Sequence, residues 1–260
     1  MSLLEAVILG IIQGLTEFLP ISSSGHLSVF HHIFGMQEPQ IAFDVVLHLG
    51  TLVPVFIVFR KDIWALLRNP FQKMTVLLII GTIPAVVFAL LFKSRIEMLF
   101  ASLLFIVFGF CITGLVLLFA DRVSTGDKEE KDITFVDALL VGCAQAVAIA
   151  PAISRSGSTI AASLGRKLNR ETAAKFSFLL SIPAILGAAV MTFRGIISDG
   201  AGDIEWLNMA VGFVAAMLSG YLAIKFMLNL IKKAKLKYFA VYVFILAAVL
   251  LIYLIVFGMA

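Results

Sequence analysis

The stretch "PAISRSGST", residues 151–159, sets Arg155, three serines, a threonine and a glycine inside otherwise apolar sequence. Arginine brings a permanent charge and a planar donor fork matched to phosphate oxygens. The serine-rich run is placed to cap a following helix, whose free N–H groups and positive dipole end make an anion site. Ser156 and Thr159 add hydroxyl donors. A second cluster, "FLPISSSGH" at 18–26, offers Ser22, Ser23 and Ser24 in the same way and ends on His26. Just upstream, Gln13 and Glu17 are spaced i, i+4 and share one helix face. A carboxylate beside a phosphate site suits a divalent cation, since Mg²⁺ is commonly held by one or two carboxylates plus phosphate oxygens. His26 can act as a general acid or base, or activate a serine.

These residues sit in a chain whose composition is that of a membrane protein. Of the 260 residues 61% are hydrophobic and 14% charged, with a mean hydropathy of +1.07. Soluble domains use about 45–50% apolar residues. The net charge of +4 does not mark a nucleic-acid binder, because its distribution follows topology. The first twenty residues hold no Lys or Arg before the apolar run, so they read as structure and not as a cleaved signal peptide. Cys111 and Cys143 lie in apolar surroundings and are expected to be buried free thiols.

Apolar runs of spanning length (roughly 20 residues) occur at about 40–59, 74–92, 97–120, 174–193, 206–231 and 238–258. Two other stretches, 2–34 and 133–165, are apolar but broken by the polar clusters above, and each second segment is too short to cross. With one crossing per run and each broken stretch returning to its own side, fifteen of eighteen loop Lys and Arg fall on one side. That side is predicted to be cytoplasmic and both termini outside.

A shift of 132 residues superposes Gly10, Gln13, Ile21, Ser22, Ser24 and Gly25 on Gly142, Gln145, Ile153, Ser154, Ser156 and Gly157. The chain therefore reads as one all-α polytopic membrane domain built from two copies of one unit. Repeat one covers 1–120, a cytoplasmic linker 121–132, and repeat two 133–260. Each copy is a re-entrant broken helix pair followed by three transmembrane helices. Three is odd, so the copies are inverted, as in carriers whose discontinuous helices meet near the midplane. Irregular backbone at that depth must be buried in protein or line a wet cavity.

Other polar residues have simpler readings. His31 and His32 fall at the outer interface. Asp44 and His48, in "FDVVLHLGT", are candidates to support the site. Gly10 and Gly14 form a GxxxG pair suited to helix packing. Trp64 and Trp206 fit interfacial anchoring, and the basic run "KKAKLK" sets topology.

The pattern Gln13-x-x-x-Glu17, "FLPISSSGH", and Pro151-x-x-Ser154-Arg155-Ser156-x-x-Thr159 resembles the undecaprenyl-pyrophosphate phosphatases of the UppP/BacA family. Both motifs, (E/Q)xxxE and PGxSRSxxT, are present, and the likeness includes "FDVVLHLGT" and "FSFLLSIPAILG". The resemblance implies a bacterial inner-membrane enzyme that hydrolyses undecaprenyl pyrophosphate to the monophosphate and inorganic phosphate. That reaction recycles the cell-wall carrier lipid for peptidoglycan synthesis and confers bacitracin resistance. It further implies a site opening to the outer face, a divalent cation (Mg²⁺ or Ca²⁺), and a homodimer as the candidate assembly. Carried over by position, Glu17 and Gln13 serve the metal and the acid/base step, with His26 and Ser23 as base and nucleophile. Arg155, Ser22, Ser24, Ser154, Ser156 and Thr159 hold the diphosphate. Two positions depart from the commoner pattern: Gln13 replaces a carboxylate, and Ala152 stands where the motif has glycine.

The alternative is a transporter or flippase of a phosphorylated polyprenyl lipid or anion, which the inverted architecture also suits. Transport needs only an anion cradle. Glu17, His26 and Ser23 beside Arg155 add what hydrolysis requires.

Overall fold

The computed structural model describes residues 1–36, 40–123, 126–199, 205–231 and 235–257, with the backbone alone for 195–199. Lys232, Lys233 and Ala260 lie outside the described residues. The chain forms α1 (Leu3–Phe18), α2 (Ser23–Ile33), α3 (Ile41–Val58), α4 (Arg60–Arg68), α5 (Lys73–Phe100) and α6 (Leu103–Arg122). After a 3₁₀ turn at Glu130–Asp132 come α7 (Phe135–Val147), α8 (Arg155–Gly165), α9 (Arg170–Asp199), α10 (Trp206–Ile231) and α11 (Lys237–Phe257). Among the described residues, six of these helices (α3, α5, α6, α9, α10 and α11) are long and apolar enough to cross a membrane.

The two broken stretches are interrupted where the sequence places Pro20 and Pro151. Both α1 and α7 start on a capping box, Ser2 with Glu5 and Thr134 with Asp137, positions again 132 residues apart. Both α2 and α8 start on a serine cap, Ser22 accepting from the Gly25 amide and Ser154 from the Gly157 amide. The intervening loops turn through left-handed backbone at Ser22 (φ 69°) and Ala152 (φ 58°).

Packing of the halves is reciprocal. Helix α1 lies on α10 and α7 lies on α5, so each broken helix packs against the second long helix of the other half. Likewise α3 packs on α10 and α9 on α5, while α3–α9 and α6–α11 meet as like pairs. Small residues permit this approach. Gly10 and Gly14 of α1 face Gly212, Ala216, Ser219 and Gly220 of α10, and Gly142 of α7 faces the Gly81 backbone of α5. The outward faces stay apolar, with Ile79, Leu90, Ile245 and Ile252 exposed, as a lipid-facing surface requires.

Charged side chains gather at one end of the bundle. Lys175 bonds Asp62 and Glu130 at 2.6 Å each, and Lys73 donates to the Lys131 carbonyl. Asp137, fully buried, is held by Lys128 at 2.9 Å and Arg166 at 2.7 Å. Burial alone would raise the Asp137 carboxyl. The Thr134 amide and the two cations outweigh it and hold the group well below the usual carboxylate range. These contacts draw together the basic loops that the charge count assigned to a single side.

Three features differ from the sequence reading. First, α5 continues through Lys93 and Arg95 to Phe100, bending at Phe92 (φ −118°, ψ 17°), because Lys93 and Glu97 pair at i, i+4 and keep this polar stretch helical. Second, α4 is a short amphipathic helix with Trp64 and Leu67 exposed and the Arg68 guanidinium over the Trp64 ring. Third, Cys143 is exposed and Cys111 half-buried, so the thiols are free but not core residues.

The glycine seam yields a paired test. A Cβ on Gly14 would lie 2.0 Å from Ser219 Oγ and 2.5 Å from the Ala216 carbonyl, whereas nothing lies within 4 Å of one on Gly187. Gly14→Ala is expected to destabilise the detergent-solubilised protein by about 1–3 kcal/mol or more. Gly187→Ala, in α9, should be neutral or stabilise by up to about 1 kcal/mol. Thermal unfolding of the two variants checks the contrast.

Candidate active site

The breaks set the start of each 11-residue helix against the loop of the other stretch, Gly25 by Ala152 and Gly157 by Pro20. A Cβ at Gly25 would meet Ala152 Cβ at 2.7 Å and the Phe110 ring at 2.6 Å, so only glycine allows α2 to start against the second loop. Ser156 Oγ donates to the Leu19 carbonyl of the first loop at 3.1 Å. Thr113 of α6 bonds the second loop on both sides, donating to the Ala152 carbonyl and accepting from the Ser154 amide, each at 2.9 Å. Ala152, where the motif carries glycine, adopts the left-handed φ that favours glycine.

Glu17, 7% exposed, is where the loops converge. Its Oε1 forms an ion pair with Arg155 Nη2, across the two halves. Its Oε2 accepts from Ser23 Oγ at 2.6 Å and from Gln13 Nε2 at 3.0 Å, and His48 Nε2 stands 3.6 Å away. The Ser23 bond is short, as expected of a hydroxyl donating to a carboxylate. Arg155 also reaches the Ser177 carbonyl through Nη1 at 3.4 Å, and Thr159 Oγ1 lies 2.6 Å from Ser177 Oγ. Glu17, Gln13, Ser23, Arg155 and Thr159 thus form one connected cluster.

The remaining sequence candidates are placed around it. Ser22 and Ser154 are spent as helix caps, with Ser24 Oγ 3.2 Å from Ser22 Oγ and Ser156 Oγ 3.3 Å from Ser154 Oγ. His26 does not reach Ser23. Its Nδ1 donates to the Ser22 carbonyl at 2.6 Å, so Nε2 accepts from Tyr242 O–H at 2.8 Å, and the two rings stack. His31 pairs with Asp44 at 3.3 Å, and His32 lies by Tyr253 at 3.2 Å, away from Glu17.

A metal finds a limited donor set. Among the described residues no group of three or more His, Cys, Asp and Glu could hold an ion. The available oxygens are the Glu17 carboxylate and Gln13 Oε1, which is fully buried with no hydrogen-bond partner. One carboxylate, one amide oxygen and the oxygens of a phosphorylated ligand do fit a hard divalent cation. A diphosphate that drew Arg155 to itself would free Glu17 Oε1.

The family model described as bacitracin resistance protein BacA matches residues 6–249. The chain belongs to the BacA family. It is 50% identical over 254 residues to an undecaprenyl-diphosphatase of Carboxydothermus hydrogenoformans, covering 97% of both chains. It is 49% identical over 251 residues to undecaprenyl-diphosphatase 4 of Bacillus thuringiensis, covering 96% of this chain and 97% of the relative. With the undecaprenyl-diphosphatase of Halothermothrix orenii the identity is 42% over 254 residues, covering 97% and 98%. With its six apolar helices, this BacA-family chain is a multi-pass membrane protein.

In this BacA-family site, sequence reasoning missed Ser177, Thr113 and Tyr242. Ser177 and Thr113 carry a faint signal, each a polar residue buried in a long apolar helix, where a hydroxyl needs a partner. Tyr242 carries none, since it meets His26 across 216 positions of sequence.

The forked engagement of Arg155 with Glu17 and Ser177 yields a prediction. Arg155→Lys keeps the charge and loses the fork, so kcat for phosphate release should fall about 10²-fold or more, with KM changing far less. Kinetics in detergent on the folded variant check this; a kcat within threefold of wild type would make Arg155 a tether only.

Proposed function

We propose that the chain hydrolyses undecaprenyl diphosphate to undecaprenyl phosphate and inorganic phosphate. The observation that carries this reading is the hydrogen bond of Ser23 to a carboxylate that is itself paired with Arg155. An anion cradle for transport has no use for a carboxylate bonded to a serine hydroxyl, whereas nucleophilic catalysis needs a base in that position. The full-length similarity to proteins named undecaprenyl-diphosphatase supports the substrate class.

The arrangement gives each residue a task. As the diphosphate enters, its charge competes with Glu17 for Arg155, whose fork then lies on the terminal phosphoryl group. Glu17, released from that pair, accepts the Ser23 proton across the 2.6 Å bond. Ser23 Oγ bonds to the terminal phosphorus, the bridging P–O bond breaks, and undecaprenyl phosphate leaves with the bridging oxygen. Water then attacks the phosphoserine, Glu17 returns a proton to Ser23 Oγ, and inorganic phosphate is released. Arg155 and the N-terminal amides of α2 and α8 stabilise the charge on the equatorial oxygens. Glu17 and Gln13 would hold a divalent cation, which when bound would neutralise charge on the diphosphate. His26, fixed at both ring nitrogens, orients the Ser22 turn that presents Ser23 and does not itself take the serine proton.

The same reading includes topology. Reciprocal packing of the halves supports two inverted repeats, 1–120 and 133–260, joined by the linker 121–132. The gathering of basic loops at one end supports a cytoplasmic position for that end in the inner membrane, with both termini outside and the site open to the outer face.

Ser23→Ala tests the covalent route. Phosphate release from undecaprenyl diphosphate should fall by about 10³-fold or more, and the ³²P trapped on wild-type protein by acid quench should be absent. A variant keeping a tenth of the wild-type rate would rule out serine as the nucleophile.

A further inference from the structure

His48, on α3, faces Glu17 in a way that hydrogen bonding alone does not explain. Its Nδ1 lies 2.7 Å from the main-chain carbonyl of Asp44, one turn earlier. A carbonyl only accepts, so Nδ1 is the donor there, and Nε2 is the ring nitrogen turned toward Glu17 Oε2. That gap is 3.6 Å, too long for a hydrogen bond. Nε2 and Oε2 thus face each other with room for a cationic species between them, and Arg155 is engaged on the other oxygen, Oε1.

Two further observations narrow what that species is. A ring anchored through its far nitrogen to a backbone carbonyl is the usual arrangement of a metal-ligating histidine. The 3.6 Å separation also suits two donors that share one ion, each at about 2.0–2.2 Å. Independently, Gln13 is fully buried, donates through Nε2 to the same Glu17 Oε2 at 3.0 Å, and leaves Oε1 on that amide without a partner. His48 is 28% exposed, so the cluster is not sealed on that side.

We propose that His48 Nε2, Glu17 and Gln13 Oε1 together form a divalent-cation site with an imidazole ligand. Imidazole favours first-row transition ions, whereas all-oxygen sets suit Mg²⁺ and Ca²⁺. The mixed set therefore accepts Mn²⁺ as well as the Mg²⁺ or Ca²⁺ expected from the sequence. This deepens the phosphatase reading and rests on its metal dependence.

The test measures binding apart from turnover. Mn²⁺ is titrated into purified full-length protein in detergent and followed by continuous-wave and pulsed EPR. Wild type should bind Mn²⁺ with the nitrogen modulation of a directly coordinated imidazole. His48→Gln should lose that modulation and bind Mn²⁺ about tenfold or more weakly, with thermal stability confirming its fold. Absence of Mn²⁺ binding, or bound Mn²⁺ without nitrogen coupling in wild type, overturns the proposal, and the latter needs no variant to fold. Coupling that persists in His48→Gln also overturns it. Phosphate release from undecaprenyl diphosphate is measured in parallel. Hydrolysis without nitrogen-coupled Mn²⁺ sinks the imidazole site alone, and coupled Mn²⁺ without hydrolysis sinks the phosphatase reading alone.

Discussion

The pairing of Glu17 with Arg155 is the constraint on which the rest of the structure depends. Removing either charge from water costs several kcal/mol even after relaxation, and the cost is offset only where partners are close and remaining polar atoms are bonded. Glu17 meets that condition through Arg155, Ser23 and Gln13, and Arg155 through Glu17 and the Ser177 carbonyl. The two residues lie 138 positions apart, on the first and the second broken stretch. Neither stretch could keep its charge buried without the other, so the site and the association of the halves are one requirement.

That requirement explains why the helices are broken. A continuous span would bury its backbone polar groups and leave none for a ligand. Breaking α1–α2 and α7–α8 creates two helix N-termini and sets each against the other stretch's loop. The loops remain tolerable because Thr113, Leu19 and the two capping serines take up their donors and acceptors. The glycine seams on α10 and α5 then bring the broken helices close enough for Glu17 to meet Arg155.

Much of this was legible in the sequence because its causes are local or periodic. Run length gave the six long helices, and the polar clusters gave both breaks and their serine caps. The 132-residue shift brought Glu17 and Arg155 together before any contact was known. What escaped depends on side-chain direction between distant helices. Tyr242 was invisible because nothing near it in sequence hints at His26, and Ser177 showed only as a polar residue in an apolar run, with nothing to point it at Thr159. A lone residue near serines, His26 reads in the sequence as a base; both its ring nitrogens face other groups, and Ser23 bonds the Glu17 carboxylate instead. Helix α4 escaped because nine residues fall below any spanning window.

The account makes one carboxylate do two things: balance Arg155 in the resting protein and take the serine proton during turnover. Single-turnover phosphate release from undecaprenyl diphosphate by Glu17→Gln tests this most directly, since glutamine keeps the shape and the hydrogen-bonding oxygen but neither charge nor basicity. The account predicts a loss of about 10³-fold or more in folded protein, not recovered by raising the substrate concentration. Release within tenfold of wild type would contradict it.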